Sequence, residues 1–372
     1  MKEISRLPQK KSLKRIVVKV GSACLQGERA DLNLNNLREV INNCCRLRKQ
    51  GIEVILVCSG AILMGRYASG LTSVSKEMAQ LQALSSIGQP RLMEVLWKYF
   101  KSGGFYCAQV LLTHEDLRRR QRFLNVRNTI FKLLHLKVVP VVNENDSVSF
   151  EEITVGDNDQ LAAMIAEMVE ADCLVMLSKH DGLYSKDPVL PDSKKIRFVG
   201  FSDTLPGVSL KGKSQAGRGG MATKVQAVKK LTPLGIPVFL ASFLKKDPVS
   251  RALKGEGTYF EPSADSPINK KQRWLLATAK SEGGIVIDDG AAKALKNNAS
   301  LLPAGIVDVV GNFRRGDCIR ILCRKKEIAL GLSEFRSADL RGIAGRQTNE
   351  IEKILGSVPS KIAVHRNNLI LR

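Results

Sequence analysis

The sequence predicts an α/β protein, a mostly parallel sheet covered by helices on both faces, followed by a smaller β-rich domain. Three observations carry that expectation. Short unbroken apolar runs alternate with helical stretches up to about Leu240, the pattern of strands buried on both faces. That alternation stops in a polar stretch from Gly255 to Lys271, and short β-like runs separated by Gly and Asp follow it. A chain of 372 residues also exceeds one ordinary domain and suits a large unit with a small companion.

The elements follow in order. Arg15 to Val20 (RIVVKV) is a strand running into Gly21-Ser22, and Leu34 to Gln50 a helix with Leu37, Val40, Ile41, Cys44 and Leu47 on one face. Gly51 ends that helix, and Glu53 to Cys58 is a second strand, stopping at Ser59-Gly60-Ala61. Helices are expected at Met78 to Leu84 and Pro90 to Lys101, a strand at Tyr106 to Leu112, a helix at Arg122 to Leu136 and a strand at Val138 to Val142. Then come a helix at Gln160 to Glu170, a strand at Cys173 to Leu177, a helix at Ala222 to Leu231 and a strand at Pro237 to Leu240. Past the polar stretch, Gly284 to Ile287, Ile306 to Val310, Cys318 to Cys323 and Glu327 to Leu332 form the β-rich domain.

Composition excludes several classes. No apolar run approaches the roughly 20 residues that span a bilayer, and the basic Met1 to Arg15 segment lacks the apolar core of a secretory signal, so a cytoplasmic protein is expected. The eight cysteines show neither metal nor disulfide spacing and read as buried small hydrophobes in a reducing compartment; with four histidines, no metal site is expected. The net charge of +22 is spread, with +5 in residues 281–372 and +17 before them. A dedicated nucleic-acid module would concentrate that charge.

In a parallel sheet, ligands bind beyond the carboxyl ends of the strands. Four such ends stand out. Lys19, in an apolar strand ahead of Gly21, needs an anion or water for its ammonium. Ser59-Gly60-Ala61 is a small-residue strand-to-helix turn. Asn143 to Ser147 and Gly156 to Gln160 are two polar clusters separated by only eight residues, more than helix capping asks for. Gly217 to Lys224 is a glycine-rich loop opening a helix, with a lysine whose charge opposes the helix dipole unless an anion binds there.

At these positions the chain resembles a known family. VVKVGS (17–22), VCSGAILMG (57–65), SSIGQPRLME (85–94), QVLLTHEDL (109–117), RFLNVRNT (122–129), VVPVVNENDSV (138–148), GDNDQLAAMIA (156–166), DGLYSKDP (181–188) and GGMATK (219–224) look like the ordered blocks of the glutamate 5-kinase family. That family belongs to the amino acid kinase superfamily, whose three-layer αβα sandwich matches the alternation. GGIVIDDGAAKAL, LLPAGIVDVVGNFRRGDCIRI and FRSADLRGIAG resemble the PUA domain appended to many members. The organisation this implies is a basic N-terminal extension (1–14), a kinase domain (15–265), a linker (266–280), a PUA-like barrel (281–356) and a tail (357–372).

The resemblance implies ATP-dependent phosphorylation of the L-glutamate side-chain carboxylate, the first step of proline biosynthesis, with ATP and Mg²⁺. It makes Lys19 and Lys224 the stabilisers of the transferring phosphoryl group and Asp159 the carboxylate that holds both. Ser59, Asp146 and Asn158 become the glutamate site, with Asp146 for the α-ammonium and Ser59 and Asn158 as donors to its carboxylates. The ATP site is expected to take in Lys19, Gly21, Gly60, Ser178, Lys179, Arg218, Gly219, Gly220, Met221, Ala222, Thr223 and Lys224. Three departures from the family pattern stand out: Cys58 replaces a serine, Arg218 a threonine, and Ser178-Lys179 the usual Thr-Asp, which reverses a charge. A homo-oligomer (dimer or tetramer) is also expected, with proline as a candidate feedback inhibitor and RNA as a candidate ligand of the C-terminal domain. The competing readings are a kinase for another carboxylate or a carbamate, and an RNA-binding regulator without turnover.

Overall fold

The structure is a computed structural model that describes residues 13–27, 31–71, 77–148, 157–203, 220–264, 283–297, 299–324, 326–356 and 360–371. Arg218 and Gly219, Gly156, the expected linker and all but the last two residues of the basic extension lie outside these. The chain divides into two compact units, Met1–Arg118 with Val126–Asp265, and Arg119–Asn125 with Ser266–Arg372.

The first unit contains β1 (Arg15–Val20), β2 (Glu53–Cys58), β3 (Cys107–Leu112), β4 (Val139–Glu144), β5 (Cys173–Ser178), β6 (Leu183–Tyr184), β7 (Lys195–Ile196), β8 (Phe198–Val199), β9 (Val238–Ser242) and β10 (Thr258–Phe260). Its helices are α1 (Asn35–Lys49), α2 (Ala61–Ala68), α3 (Met78–Ser102), α4 (His114–Arg118), the part of α5 (Arg120–His135) from Val126 onward, α6 (Asp157–Met168), α7 (Met221–Leu231) and α8 (Pro248–Leu253). Eight strands form one sheet in the order β3-β4-β2-β1-β5-β9-β10-β8, parallel except where β10 runs antiparallel to β9. β1 is central, in register with β2 (Lys19 beside Val57) and with β5 (Lys19 beside Met176), so the carboxyl ends of these strands finish together.

Strand alternation splits the core into two layers. Ile16, Val18 and Val20 pack with Leu37, Val40 and Ile41 of α1, Leu92 and Leu96 of α3 and Val249 of α8. Val17 and Lys19 face the opposite way, and Lys19 meets α6 there. This is the three-layer arrangement the alternation predicts.

Three differences from the sequence reading matter for the site. First, the two expected helices around Pro90 are one, α3. Gly88-Gln89-Pro90 looks like a break, yet a Cβ on Gly88 would lie 1.9 Å from the Ala61 carbonyl oxygen. Glycine is there because α2 and α3 touch backbone to backbone, and that packing holds the helix through the proline. Second, β4 runs two residues further than expected, so Asn143 and Glu144 are buried strand residues instead of turn residues. Third, α6 starts at Asp157, which puts Asn158 and Asp159 in its first turn.

The second unit has β11 (Gly284–Ile287), α9 (Asp289–Lys296), β12 (Ile306–Val310), β13 (Cys318–Cys323), β14 (Lys326–Leu332), α10 (Ser337–Ile343), α11 (Ile351–Leu355) and β15 (Leu369–Leu371). Its sheet has the order β12-β11-β13-β14-β15, with only β11 and β13 parallel. Ile285, Ile287, Leu295, Ile319, Ile321, Leu340 and Ile351 form its core. Asp288 caps α9, its side chain accepting from the Ala291 N–H.

Candidate active site

The site starts from Lys19, a residue only 4% exposed that sits among the valines of β1. Its Nζ lies 2.5 Å from Asp159 Oδ1, and Lys224 Nζ lies 3.1 Å from Asp159 Oδ2. Thr223 Oγ1 donates to the same Oδ2 at 2.7 Å. Asp159 is fully buried. Burial alone would push its carboxyl up, but the two ammonium groups and the hydrogen bonds from Lys19 and Thr223 outweigh it and hold the group at about 2. Burial, together with the charge of Lys19, pushes the Lys224 ammonium the other way, below the ordinary lysine value, against the pull of Asp159.

The local chain explains why these three groups meet. β1 delivers Lys19 to the face covered by α6, and α6 and α7 are tied where Gln160 Nε2 donates to the Thr223 carbonyl at 3.3 Å. Lys224 lies in the first turns of α7, behind Gly220 as N-cap. Two buried cations share one carboxylate, so the cluster carries an excess positive charge in a region of low dielectric. A buried charge without a counter-ion is expensive, and an anionic ligand would supply it. Gly21 lies beside this charge, a Cβ built there falling 3.5 Å from Lys19 Nζ. Gly60 turns the chain out of β2 at φ +121, where a Cβ would also come 2.9 Å from Leu25 Cδ2; only glycine serves here. Cys58 is buried under the same turn, and burial pushes its thiol up to about 12.

Beside Asp159 on α6 begins a second set of polar groups. Asn158 Nδ2 donates to Ser59 Oγ at 2.9 Å and to Asn143 Oδ1 at 3.0 Å. Both amide hydrogens are therefore committed, and Asn158 Oδ1 is buried with no partner among the described residues. The expected role of Asn158 as a donor is reversed in this arrangement: the free group is an acceptor. Ser59 accepts from Asn158 and keeps its hydroxyl hydrogen to give. Asp146 is held by Ser85 Oγ at 2.8 Å. Ser85, from α3, and Asn143, from β4, were not singled out as functional in the sequence; Asn143 was visible inside the NENDS cluster, while Ser85 carries no signal of its own.

On the other flank, Ser178 Oγ donates to the His180 carbonyl at 2.7 Å and Ser242 Oγ to the Lys179 carbonyl at 3.0 Å, which shapes the turn after β5. The Lys179 side chain is exposed. Asp181, two residues on, is paired with Lys195 at 2.8 Å and Lys245 at 2.6 Å. The structure thus brings Lys19, Asp159, Thr223 and Lys224 together, and Ser59 and Asn158 together. Arg218 and Gly219 fall outside the described residues. The residues here suit a nucleotide that carries its own cation: Asp159 offers no free oxygen, since Lys19 takes one and Lys224 with Thr223 the other.

Residues 14–242 match the amino acid kinase family model and residues 283–355 the PUA domain model. The chain is 42% identical over 363 residues to a glutamate 5-kinase of Caldanaerobacter subterraneus, covering 96% of this chain and 97% of that one. It is 39% identical over 367 residues to a glutamate 5-kinase of Pelobacter propionicus, covering 97% and 98%. A third, from Trichlorobacter lovleyi, is 41% identical over 366 residues, covering 96% and 97%. With a cationic centre at the strand ends that suits a phosphoryl group, and with relatives matched over nearly their whole length, the chain belongs to the amino acid kinase family and carries a C-terminal PUA domain.

Proposed function

We infer that this protein transfers the γ-phosphoryl group of ATP to the side-chain carboxylate of L-glutamate, giving glutamyl 5-phosphate, the first step of proline biosynthesis. The single observation that carries the reading is the Lys19–Asp159–Lys224 cluster, positively charged in excess and flanked by the hydrogen-bonded amide and hydroxyl groups of Asn158, Asn143 and Ser59. Joining a carboxylate to a phosphate means bringing two anions together. The nucleophile is ionised at neutral pH, with an ordinary pKa of about 4, so no general base is required. The site must instead supply positive charge, donors and alignment.

Lys19 and Lys224 neutralise the transferring group, and Asp159 keeps both ammonium groups aimed at one point. The backbone near Gly21 and Gly60 supplies amide donors. Magnesium accompanies the nucleotide's phosphates and spreads their charge. In the glutamate pocket, Ser59 donates to a substrate carboxylate, Asp146 pairs with the α-ammonium, and Asn158 Oδ1 accepts from that same ammonium. Lys179 and the start of α7 border the nucleotide. The reaction belongs in the cytoplasm, in keeping with eight free cysteines, seven of them buried.

An acyl phosphate reacts with hydroxylamine to a hydroxamate, which gives a direct test. Glutamate and ATP should yield the hydroxamate together with ADP, with aspartate and carbamate far behind. Turnover that prefers another carboxylate, or none at all with glutamate, would overturn the reading.

A further inference from the structure

Gln89 lies inside α3 and is 7% exposed, far too buried for an amide without a task. It is the middle of a relay. Its Nε2 donates to Gln109 Oε1 on β3 at 2.9 Å, and its Oε1 accepts from Asn143 Nδ2 on β4 at 2.9 Å. Asn143 Oδ1 accepts twice, from the backbone N–H of Glu144 at 2.9 Å and from Asn158 Nδ2 at 3.0 Å.

The two ends of an amide have nearly the same shape, so sterics alone do not decide which faces where. Here the chemistry decides. A backbone N–H can only donate, so Asn143 must present its oxygen to Glu144. Its NH₂ then faces Gln89, which must answer with oxygen and spend its own NH₂ on Gln109. Asn158, facing the Asn143 oxygen, must donate. The outcome of the whole chain is that Asn158 Oδ1 is left over, buried and without a partner among the described residues.

We infer that Gln89 is a positioning residue for substrate selection: through Asn143 it holds Asn158 with its oxygen toward the ligand, so that the pocket selects a dicarboxylate bearing an α-ammonium over one without it. The inference rests on the reading of Ser59, Asp146 and Asn158 as the glutamate site. A buried acceptor left unpaired penalises a ligand that brings no donor, which makes this a specificity device.

The test compares Gln89→Met, close in volume, with Gln89→Glu, which keeps an acceptor for Asn143. Steady-state KM for glutamate and for ATP is measured, with the inhibition constant of glutarate, which has both carboxylates and no ammonium. Gln89→Met should raise the glutamate KM about tenfold, the scale of one misaligned hydrogen bond to a charged group, and leave ATP and glutarate within about twofold. Gln89→Glu should recover most of the loss. A merely structural role predicts parallel losses for all three ligands and no rescue, and either result overturns the proposal. If Gln89→Met does not fold, Gln109→Leu, at an exposed strand position, removes the outer anchor alone and should raise the glutamate KM about threefold; an unchanged KM there is also a refutation. Asn158→Ala separates the two levels. An unchanged glutamate KM in that variant removes the site reading and the relay with it. A raised KM there, beside a wild-type Gln89→Met, removes the relay alone.

Discussion

The two ends of the central sheet both gather buried or half-buried cations, and they handle them in opposite ways. At the amino end, Arg15 pairs with Glu53 at 2.7 Å and donates to the Val169 carbonyl at 2.6 Å. Arg127 reaches Glu170 at 3.7 Å. The two guanidinium groups lie over Phe131, 4.6 and 4.9 Å from its ring centre. Asp172 accepts from the Lys14 and Arg15 backbone N–H groups at 2.6 and 2.7 Å. Each cation there has its own carboxylate, and the planar guanidinium adds stacking. At the carboxyl end, Lys19 and Lys224 share the single carboxylate of Asp159. Charge balance, rather than burial, separates an end whose cations each have a carboxylate from one where two lysines share one.

The comparison is broken most forcefully at Asp159. Asp159→Asn leaves two ammonium groups buried without an anion, and should lower kcat by about 10³-fold while costing roughly 3–5 kcal/mol of stability. Thermal unfolding and ADP release measure the two losses, and a variant of normal stability and turnover would mean that the lysines do not depend on the carboxylate. Lys224→Ala should lower kcat by about 10²-fold with the glutamate KM little changed, and possession of near wild-type kcat would remove Lys224 from the mechanism.

Titration sharpens the same contrast. Because the Asp159 carboxyl is held at about 2 against 3.8 for an ordinary aspartate, its ionisation stabilises the fold in full above about pH 4, and that support is lost as the pH falls through about 2. On the order of 2 kcal/mol is involved, seen as acid sensitivity of the wild type that Asp159→Asn lacks. On the alkaline side the sign differs. The Lys224 ammonium is depressed, so kcat/KM for ATP should begin to fall below 10.5, the value of an ordinary lysine. A flat profile up to that pH would contradict the site's electrostatics.

Arg15→Met tests the other end of the sheet. It should cost about 1 kcal/mol, the scale of a partly exposed ion pair, and leave kcat/KM within about twofold. A large catalytic loss there would dissolve the distinction between the ends. The smallest effect is expected at Lys179, exposed in the turn after β5. Lys179→Asp should change the KM for ATP, or the preference between ATP and GTP, several-fold while kcat moves less; nucleotide parameters equal to those of the wild type would make it a solvated surface lysine.

Much of this was legible in the chain. Apolar runs such as RIVVKV and EVILVC are strands because only a sheet covered on both sides can bury every residue of a run. Lys19 was conspicuous for the same reason, a charge where the pattern demands none. What could not be read were the extents of β4 and α6 and the continuity of α3. Asn143 and Glu144 look like turn residues, and Gly88-Gln89-Pro90 looks like a helix end, because local propensity sees only neighbours in sequence. Long-range partners overrule it. Asn143 is satisfied by Gln89 and Asn158, and Gly88 by the close approach of α2.

By itself the sequence determined the order of the main strands β1 to β5 and β9 and of the helices α1, α5, α6 and α7, and it marked the strand ends where polar and charged residues gather, since hydrophobic period and charge are local properties. Only the tertiary structure decided the direction of each hydrogen bond. Whether Asn158 gives or accepts depends on Asn143, fifteen residues away, and on Gln89, sixty-nine residues away, and a hydrogen bond has a polarity that no spacing along a chain can encode.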